Sequence, residues 1–245
     1  MKISQESLSR RYFIALAGSA SVTLIAGETL HAASSTRTRI GVIGSGKVGS
    51  AIGRTWVNRG YEVMFASRNL DNDKTLASQL GAKARAGTPK EAAAFGDVIL
   101  IAVPYGALPD LGKSLSSELK GKVVIDACNP FPSRDGEIAT LAREKGAGVT
   151  SAELLPGARI VRAFNAIGAA RMGSAHEAPG KVGMPIAGDD KEAIALASQL
   201  IRDVGYEPVL VGGLAMGRYL MPGTPLAGEH SPEEIRKIAA GLKAE

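Results

Sequence analysis

The chain has 245 residues, 45% of them hydrophobic and 22% charged, which supports one substantial core and excludes an intrinsically disordered chain. Its formal charge is +5, yet no basic cluster is interleaved with aromatics and aromatic residues make up only 4%, so nucleic-acid binding is not indicated. The single cysteine, Cys128, excludes an intrachain disulfide; His31, His176 and His230 have no ligand spacing, and neither a zinc cluster nor a Gly-x-Ser-x-Gly elbow is present.

Residues 1–33 read as a twin-arginine export signal. Arg10-Arg11 precede a mildly apolar run, Tyr12–Gly27, and Ala32-Ala33 supply small residues near a cleavage point. Gly18, Ser19, Ser21 and Thr23 leave that run short and polar for a spanning helix. The expected location is the periplasm, with the twin-arginine translocase as a partner during export. The alternative is a membrane anchor formed by an uncleaved signal. Export in the folded state suits a chain that binds its dinucleotide before leaving the cytoplasm.

From Thr38 onward, strand and helix patterns alternate. Ile40, Val42 and Ile43 form a short apolar strand that runs into Gly44-Ser45-Gly46-Lys47-Val48-Gly49. Gly44 permits the tight turn, Gly46 lets backbone approach a pyrophosphate, and Gly49 lets the next helix pack close, its N-terminal dipole aimed at phosphate. Gly41-x-x-x-x-Gly46-Lys47 nearly spells a phosphate loop, but Val48 stands where a hydroxyl must hold magnesium. A flavin on the same unit is a third reading that the glycines leave open. The helix Val48–Asn58 stops at Gly60, and strand Tyr61–Ala66 follows. That strand ends in Ser67-Arg68-Asn69, where an NAD enzyme usually carries an acid. Arginine offers a planar fork of donors to a 2′-phosphate, serine adds a hydroxyl, and no carboxylate follows until Asp71, so NADP(H) is favoured over NAD(H). Gly53 points the other way, because NADP binders often carry alanine there.

The pattern continues with a helix over Lys74–Leu80, a short strand over Lys83–Arg85, and a helix capped by Thr88 and running through Phe95. Val98–Val103 is a continuous apolar run typical of a central parallel strand and ends in Pro104-Tyr105-Gly106. Gly121–Ala127 and Arg159–Phe164 are further strands, ending at Asn129 and Asn165. Cys128, after an apolar strand, reads as a buried small hydrophobe. A strand at Met184–Ala187, a helix at Lys191–Val204, a strand at Pro208–Val211 and a helix opened by Ser231-Pro232-Glu233-Glu234 complete the chain. The expected fold is α/β: a Rossmann-type, doubly wound, mostly parallel sheet with a small C-terminal α/β appendage. The division is an NADP-binding Rossmann domain over 38–165 and a C-terminal α/β extension over 166–245 that completes the acceptor site.

Taken together, several segments resemble the NADPH-dependent reductases of the deazaflavin coenzyme F420, and the dinucleotide domains of six-transmembrane metalloreductases. They are Ile43–Gly49, Ser67-Arg68-Asn69, Ala102-Val103-Pro104-Tyr105, Val161–Ala169, Ala187-Gly188-Asp189-Asp190 and Gly212-Gly213-Leu214. The resemblance covers about residues 38–222. It implies that Ser45, Gly46, Lys47, Val48 and Gly49 lie on the pyrophosphate, Ser67 and Arg68 on the 2′-phosphate, and Val103-Pro104 beside the nicotinamide. It also implies a second ring system against Asn165, Ile167 and Ala169, and a homodimer as the assembly. The chain departs from the reductases after Tyr219-Leu220-Met221, where Pro222-Gly223-Thr224-Pro225 replaces apolar helices.

The expected activity is hydride transfer between NADP(H) and a small-molecule acceptor, coenzyme F420 or a flavin. Such transfer needs two cofactors held close and water excluded, with no acid–base residue, so no catalytic side chain is assigned. A short-chain dehydrogenase would need Tyr-x-x-x-Lys, which is lacking at Tyr105, Tyr206 and Tyr219. Asn129 and Asn165 either orient a carboxamide or acceptor, or cap turns. Two alternatives stand beside this reading: a reductase of metal chelates or quinones, and a non-catalytic exported NADP-binding protein.

Overall fold

Short apolar runs bounded by glycine build the centre of the fold. In the computed structural model, which describes residues 38–243, eight strands form one sheet. In chain order these are β1 (Ile40–Ile43), β2 (Val63–Ala66), β3 (Ala84–Ala86), β4 (Val98–Ile101), β5 (Val123–Asp126), β6 (Arg159–Arg162), β7 (Gly183–Gly188) and β8 (Glu207–Gly212). Ten α-helices cover the sheet or connect its strands. The first five are α1 (Lys47–Asn58), α2 (Leu70–Leu80), α3 (Pro89–Phe95), α4 (Leu108–Ser114) and α5 (Ser116–Leu119). The remainder are α6 (Pro132–Asp135), α7 (Glu137–Lys145), α8 (Ala147–Leu154), α9 (Lys191–Val204) and α10 (Pro232–Ala239). The export signal expected over 1–33 lies outside the described residues.

The strand order is β3-β2-β1-β4-β5-β6-β7-β8. All neighbours are parallel except β6 and β7, so the last two strands run against the first six. The order reverses between β1 and β4, and the carboxyl ends of those strands border the crevice where such sheets bind ligands. Every residue of β1, β4 and β5 is buried, as strands covered on both faces must be.

Alternation along the strands divides the core. Ile40, Val42, Leu100 and Ile125 pack with Trp56 of α1 and Leu200 of α9; Ile43, Ile99, Ile101 and Val124 pack with α3, Leu108 and Leu119. The Trp56 indole donates to the Leu200 carbonyl at 2.9 Å and meets Phe164 edge-on at 6.4 Å, so helices 144 residues apart in sequence share one layer. The β7-α9-β8 unit thus extends the same sheet and the same core.

Several boundaries differ from expectation for local reasons. Asn69 Oδ1 accepts from the Asn72 N–H, which starts α2 four residues before Lys74. β4 ends at Ile101, and the Ala102 N–H makes its last rung to β1, donating to the Ile43 carbonyl at 2.8 Å. The capping boxes Thr88/Glu91 and Ser231/Glu234 both form. Gly53 carries no information about the nucleotide: a Cβ there would lie 2.3 Å from the Phe65 ring, so packing alone requires glycine.

Candidate active site

The glycine turn is shaped by its own backbone. Gly44 has φ +101°, a conformation L side chains rarely adopt, and its N–H donates to the Ala66 carbonyl at 2.7 Å. A Cβ at Gly49 would lie 2.1 Å from the Gly44 carbonyl oxygen, so the first turn of α1 reaches the strand only as glycine. Gly46 is the N-cap of α1, with no side chain capping it and no acid in the first turn. A Cβ on Gly46 would meet nothing within 4 Å. Uncapped helix N–H groups facing open space fit an anionic pyrophosphate. Val42 and Ile43 are buried strand residues, which disposes of the phosphate-loop reading.

At the end of β2, Arg68 is exposed, with no hydrogen bond or ion pair among the described residues. The nearest carboxylate corrects the sequence reading. Asp71 points to solvent, with its side chain 91% exposed, whereas Asp73 is 0% exposed and lies between the two serines. Ser45 Oγ donates to Asp73 Oδ1 and Ser67 Oγ to Asp73 Oδ2 at 2.8 Å.

Lys47, Val48, Val103, Pro104, Asn165, Ile167 and Ala169 line a single cleft of about 600 Å³ along the carboxyl edge. Gly44, Ser45, Gly46, Gly49, Ser67 and Arg68 fall outside its lining, in the glycine turn and at the end of β2. The candidate Asn129 lines the cleft too, and two groups not expected from sequence join it: the exposed Phe131 with the Arg134 guanidinium 5.0 Å above its ring, and the small residues Pro222, Gly223, Ala227 and Gly228. The Gly228 N–H donates to the Ala166 carbonyl at 2.9 Å, which draws this loop over the cleft. The Pro222–Gly228 loop therefore forms a wall of the site.

Asn129 and Asn165 are neither simple turn caps nor free. Asn129 Nδ2 donates to the Asn165 carbonyl at 2.8 Å, and Asn165 Nδ2 to the Cys128 carbonyl at 3.3 Å. Both Oδ1 atoms are buried without a partner, which leaves each asparagine an unused acceptor. Phe164, just before Asn165, has φ 65°, a rare conformation for a bulky residue that sets the direction in which Asn165 leaves the sheet.

Behind them lies a buried ion pair. Arg162 Nη1 donates to Asp126 Oδ2 at 2.5 Å with both side chains 0% exposed, and Arg162 Nη2 donates to the Cys128 carbonyl at 3.1 Å. The two residues are register partners, each closing its strand, and this is the signal the sequence offered. Cys128 is buried, and burial first, then the Asp126 charge, pushes its thiol well above the ordinary value. Burial likewise pushes the Tyr105 hydroxyl up, and it donates to the Ala147 carbonyl at 3.0 Å. Neither group is poised for proton transfer at neutral pH. No group of three or more His, Cys, Asp or Glu suited to a metal exists among the described residues, and no helix there is long and apolar enough to cross a membrane.

Residues 39–130 match the family described as NADP oxidoreductase, coenzyme F420-dependent. The chain is 30% identical over 183 residues to the metalloreductase STEAP3 of Rattus norvegicus, covering 74% of this chain but only 35% of that protein. It is 29% identical over 202 residues to the F420-dependent NADP reductase of Methanothermobacter thermautotrophicus, covering 77% of this chain and 87% of that one. A crystal structure of a hypothetical protein from Sinorhizobium meliloti superposes with a TM-score of 0.64 at 28% identity, covering 78% of this chain and 93% of that one. A glycine turn opening an uncapped helix, an eight-stranded mostly parallel sheet, and this set of relatives agree: over residues 39–130 the chain carries the domain of the NADP oxidoreductase, coenzyme F420-dependent, family.

Proposed function

We propose that the protein is an NADP-dependent reductase that exchanges a hydride between NADP(H) and a flavin-like or deazaflavin acceptor in the Val103–Ala169 cleft. The observation that carries this reading is the continuity of the cleft. Val103-Pro104 form one side and the Asn165–Ala169 turn with the Pro222–Gly228 loop the other, beside the open N-terminus of α1. A reduced nicotinamide bound there supplies the hydride, and the chain holds the two rings together. Phe131 offers an exposed ring face at the rim. The orphaned Asn129 and Asn165 oxygens offer acceptors to N–H donors of a carboxamide or a fused pyrimidine ring. The Pro222–Gly228 wall and the apolar Val48, Val103 and Ile167 limit water.

The test is stopped-flow oxidation of bound NADPH by a deazaflavin, a flavin, a quinone and a ferric chelate in separate arms. Ile167 is 5% exposed and part of the core, so tryptophan there would overpack it. Ala169→Trp, at a half-buried position, fills the cleft instead; transfer should fall by about 100-fold while NADPH affinity stays within about tenfold. Transfer only to the quinone or chelate would overturn the acceptor class. No transfer to any acceptor would make the protein an NADP-binding one. We also propose that residues 1–33 direct the folded, nucleotide-bound protein to the periplasm by the twin-arginine route, on the strength of Arg10-Arg11 and the weakly apolar run after them.

A further inference from the structure

Asp73 joins the two elements that would grip the pyrophosphate and the 2′-phosphate of the dinucleotide. It lies in the first turn of α2, is 0% exposed, and has no ion pair among the described residues. A buried carboxylate without a cation is costly. Here the cost is offset by hydroxyl donors on both oxygens and by the N-terminal end of α2. One donor, Ser45, belongs to the glycine turn; the other, Ser67, ends β2.

A hydroxyl has a single proton. That of Ser67 has two acceptors in reach, Asp73 Oδ2 at 2.8 Å and the Asn69 carbonyl at 3.3 Å, and the shorter, charged contact wins. The Ser67 oxygen also accepts the Asn69 N–H at 3.1 Å. Ser67 in this arrangement has no proton for a phosphate, and Ser45 spends its own on the other carboxylate oxygen. Arg68 is then the one charged side chain of the Ser67-Arg68 pair that can meet a 2′-phosphate, with a fixed negative charge one hydroxyl behind it.

We propose that Asp73 is a positioning residue that sets cofactor specificity: it holds the Ser45 and Ser67 protons and restrains the preference for NADPH over NADH. The inference rests on the reading that Ser67 and Arg68 face the 2′-phosphate. Asparagine at 73 is isosteric and neutral, and its amide nitrogen would turn one serine around, freeing that proton for the phosphate.

The experiment is calorimetric titration of the parent, Asp73→Asn, Asp73→Ser and Asp73→Glu with NADPH and with NADH, each variant first checked for a cooperative melt. Both neutral variants should raise the NADH-to-NADPH ratio of Kd by about tenfold, through tighter NADPH, with NADH changed by less than about threefold. Asp73→Glu keeps the charge and should give no rise. An unchanged ratio in the folded neutral variants overturns the proposal. So does loss of the cooperative melt in both, which would make Asp73 a structural staple only. Arg68→Ala separates the two levels. Equal loss of both cofactors removes the underlying reading, whereas selective loss of NADPH beside an unchanged Asp73 ratio removes this inference alone.

Discussion

Replacing Arg162 with methionine probes how the site is held from behind. Gly148 and Gly217 leave the arginine its room: a Cβ on either would lie 3.1 or 2.6 Å from Arg162 Cδ. Methionine, unbranched and flexible, follows the same channel, so the loss is one of charge rather than of packing. It leaves Asp126 Oδ2 buried and unpaired at 0% exposure. Removing one partner of such a pair costs about 3–5 kcal/mol. For a domain of this size each kcal/mol lowers Tm by about 2–4 °C, so the melt should fall by roughly 6–20 °C. Asp126→Asn in the same chain should recover most of it, because asparagine Oδ1 can still accept the Cys128 N–H, now at 2.8 Å, and no buried charge remains. The parent pair is imperfect, with Arg162 Nε buried and unpartnered, which further limits what the double variant loses. Urea denaturation of the parent, both single variants and the double variant gives the coupling energy. A loss below about 1 kcal/mol in Arg162→Met, or a double variant no better than the single, would refute the reasoning.

Three further outcomes are expected. Arg68→Ala should weaken NADPH by about 1.5–3 kcal/mol in calorimetry and leave NADH nearly unchanged, since the guanidinium has nothing else to hold. Asp190 caps α9, and the Arg159 guanidinium, with the Ala193 N–H, lowers its carboxyl from 3.8 to about 2. A depressed folded-state value stabilises the fold above pH 3.8, and that contribution is lost as pH falls toward 2. Acid titration of Asp190→Asn, which keeps the cap but not the charge, should lack this part of the transition. Arg10→Lys with Arg11→Lys should leave the precursor in the cytoplasm, folded and nucleotide-bound; normal export in a fractionation assay would refute the signal.

What the sequence reveals follows from how local each signal is. The bounds of α9, Lys191–Val204, are legible because Ile194, Ala197, Leu200, Ile201 and Val204 repeat at helical spacing and Gly205 closes the last turn in the left-handed conformation. α8 carries no such stripe. Its buried positions include Gly148, Thr150 and Ser151, because it packs against Arg162 and the Tyr105 hydroxyl rather than a purely apolar layer. Nor does the sequence hold a local mark for the reversed direction of β7, which depends on where the chain travels after Phe164.

The site divides along the same line. The glycine turn and Ser67-Arg68 are contiguous motifs with a chemistry each can state alone, whereas their coupling through Asp73 spans 28 residues. Asp71, the first acid after the motif, faces water, whereas a two-residue step along α2, about 200° of helix rotation, carries Asp73 inward. The Pro222–Gly228 loop makes the complementary point. Nothing in its sequence marks it as part of the site, yet the Gly228–Ala166 hydrogen bond brings it onto the cleft. Small residues at that wall leave this side of the cleft shaped by backbone and by two unpaired asparagine oxygens. If the acceptor differs from that of the Methanothermobacter reductase, the difference should therefore track this loop rather than the glycine turn. Placing a bulky apolar residue at Gly223, where a Cβ would meet nothing within 4 Å, tests that separation; the positive φ of 85° there strains any such residue, so Asn, tolerant of that conformation, is the control. Acceptor turnover should change with size while NADPH binding does not, and a parallel change in both would mean that the loop serves the nucleotide half of the site as well.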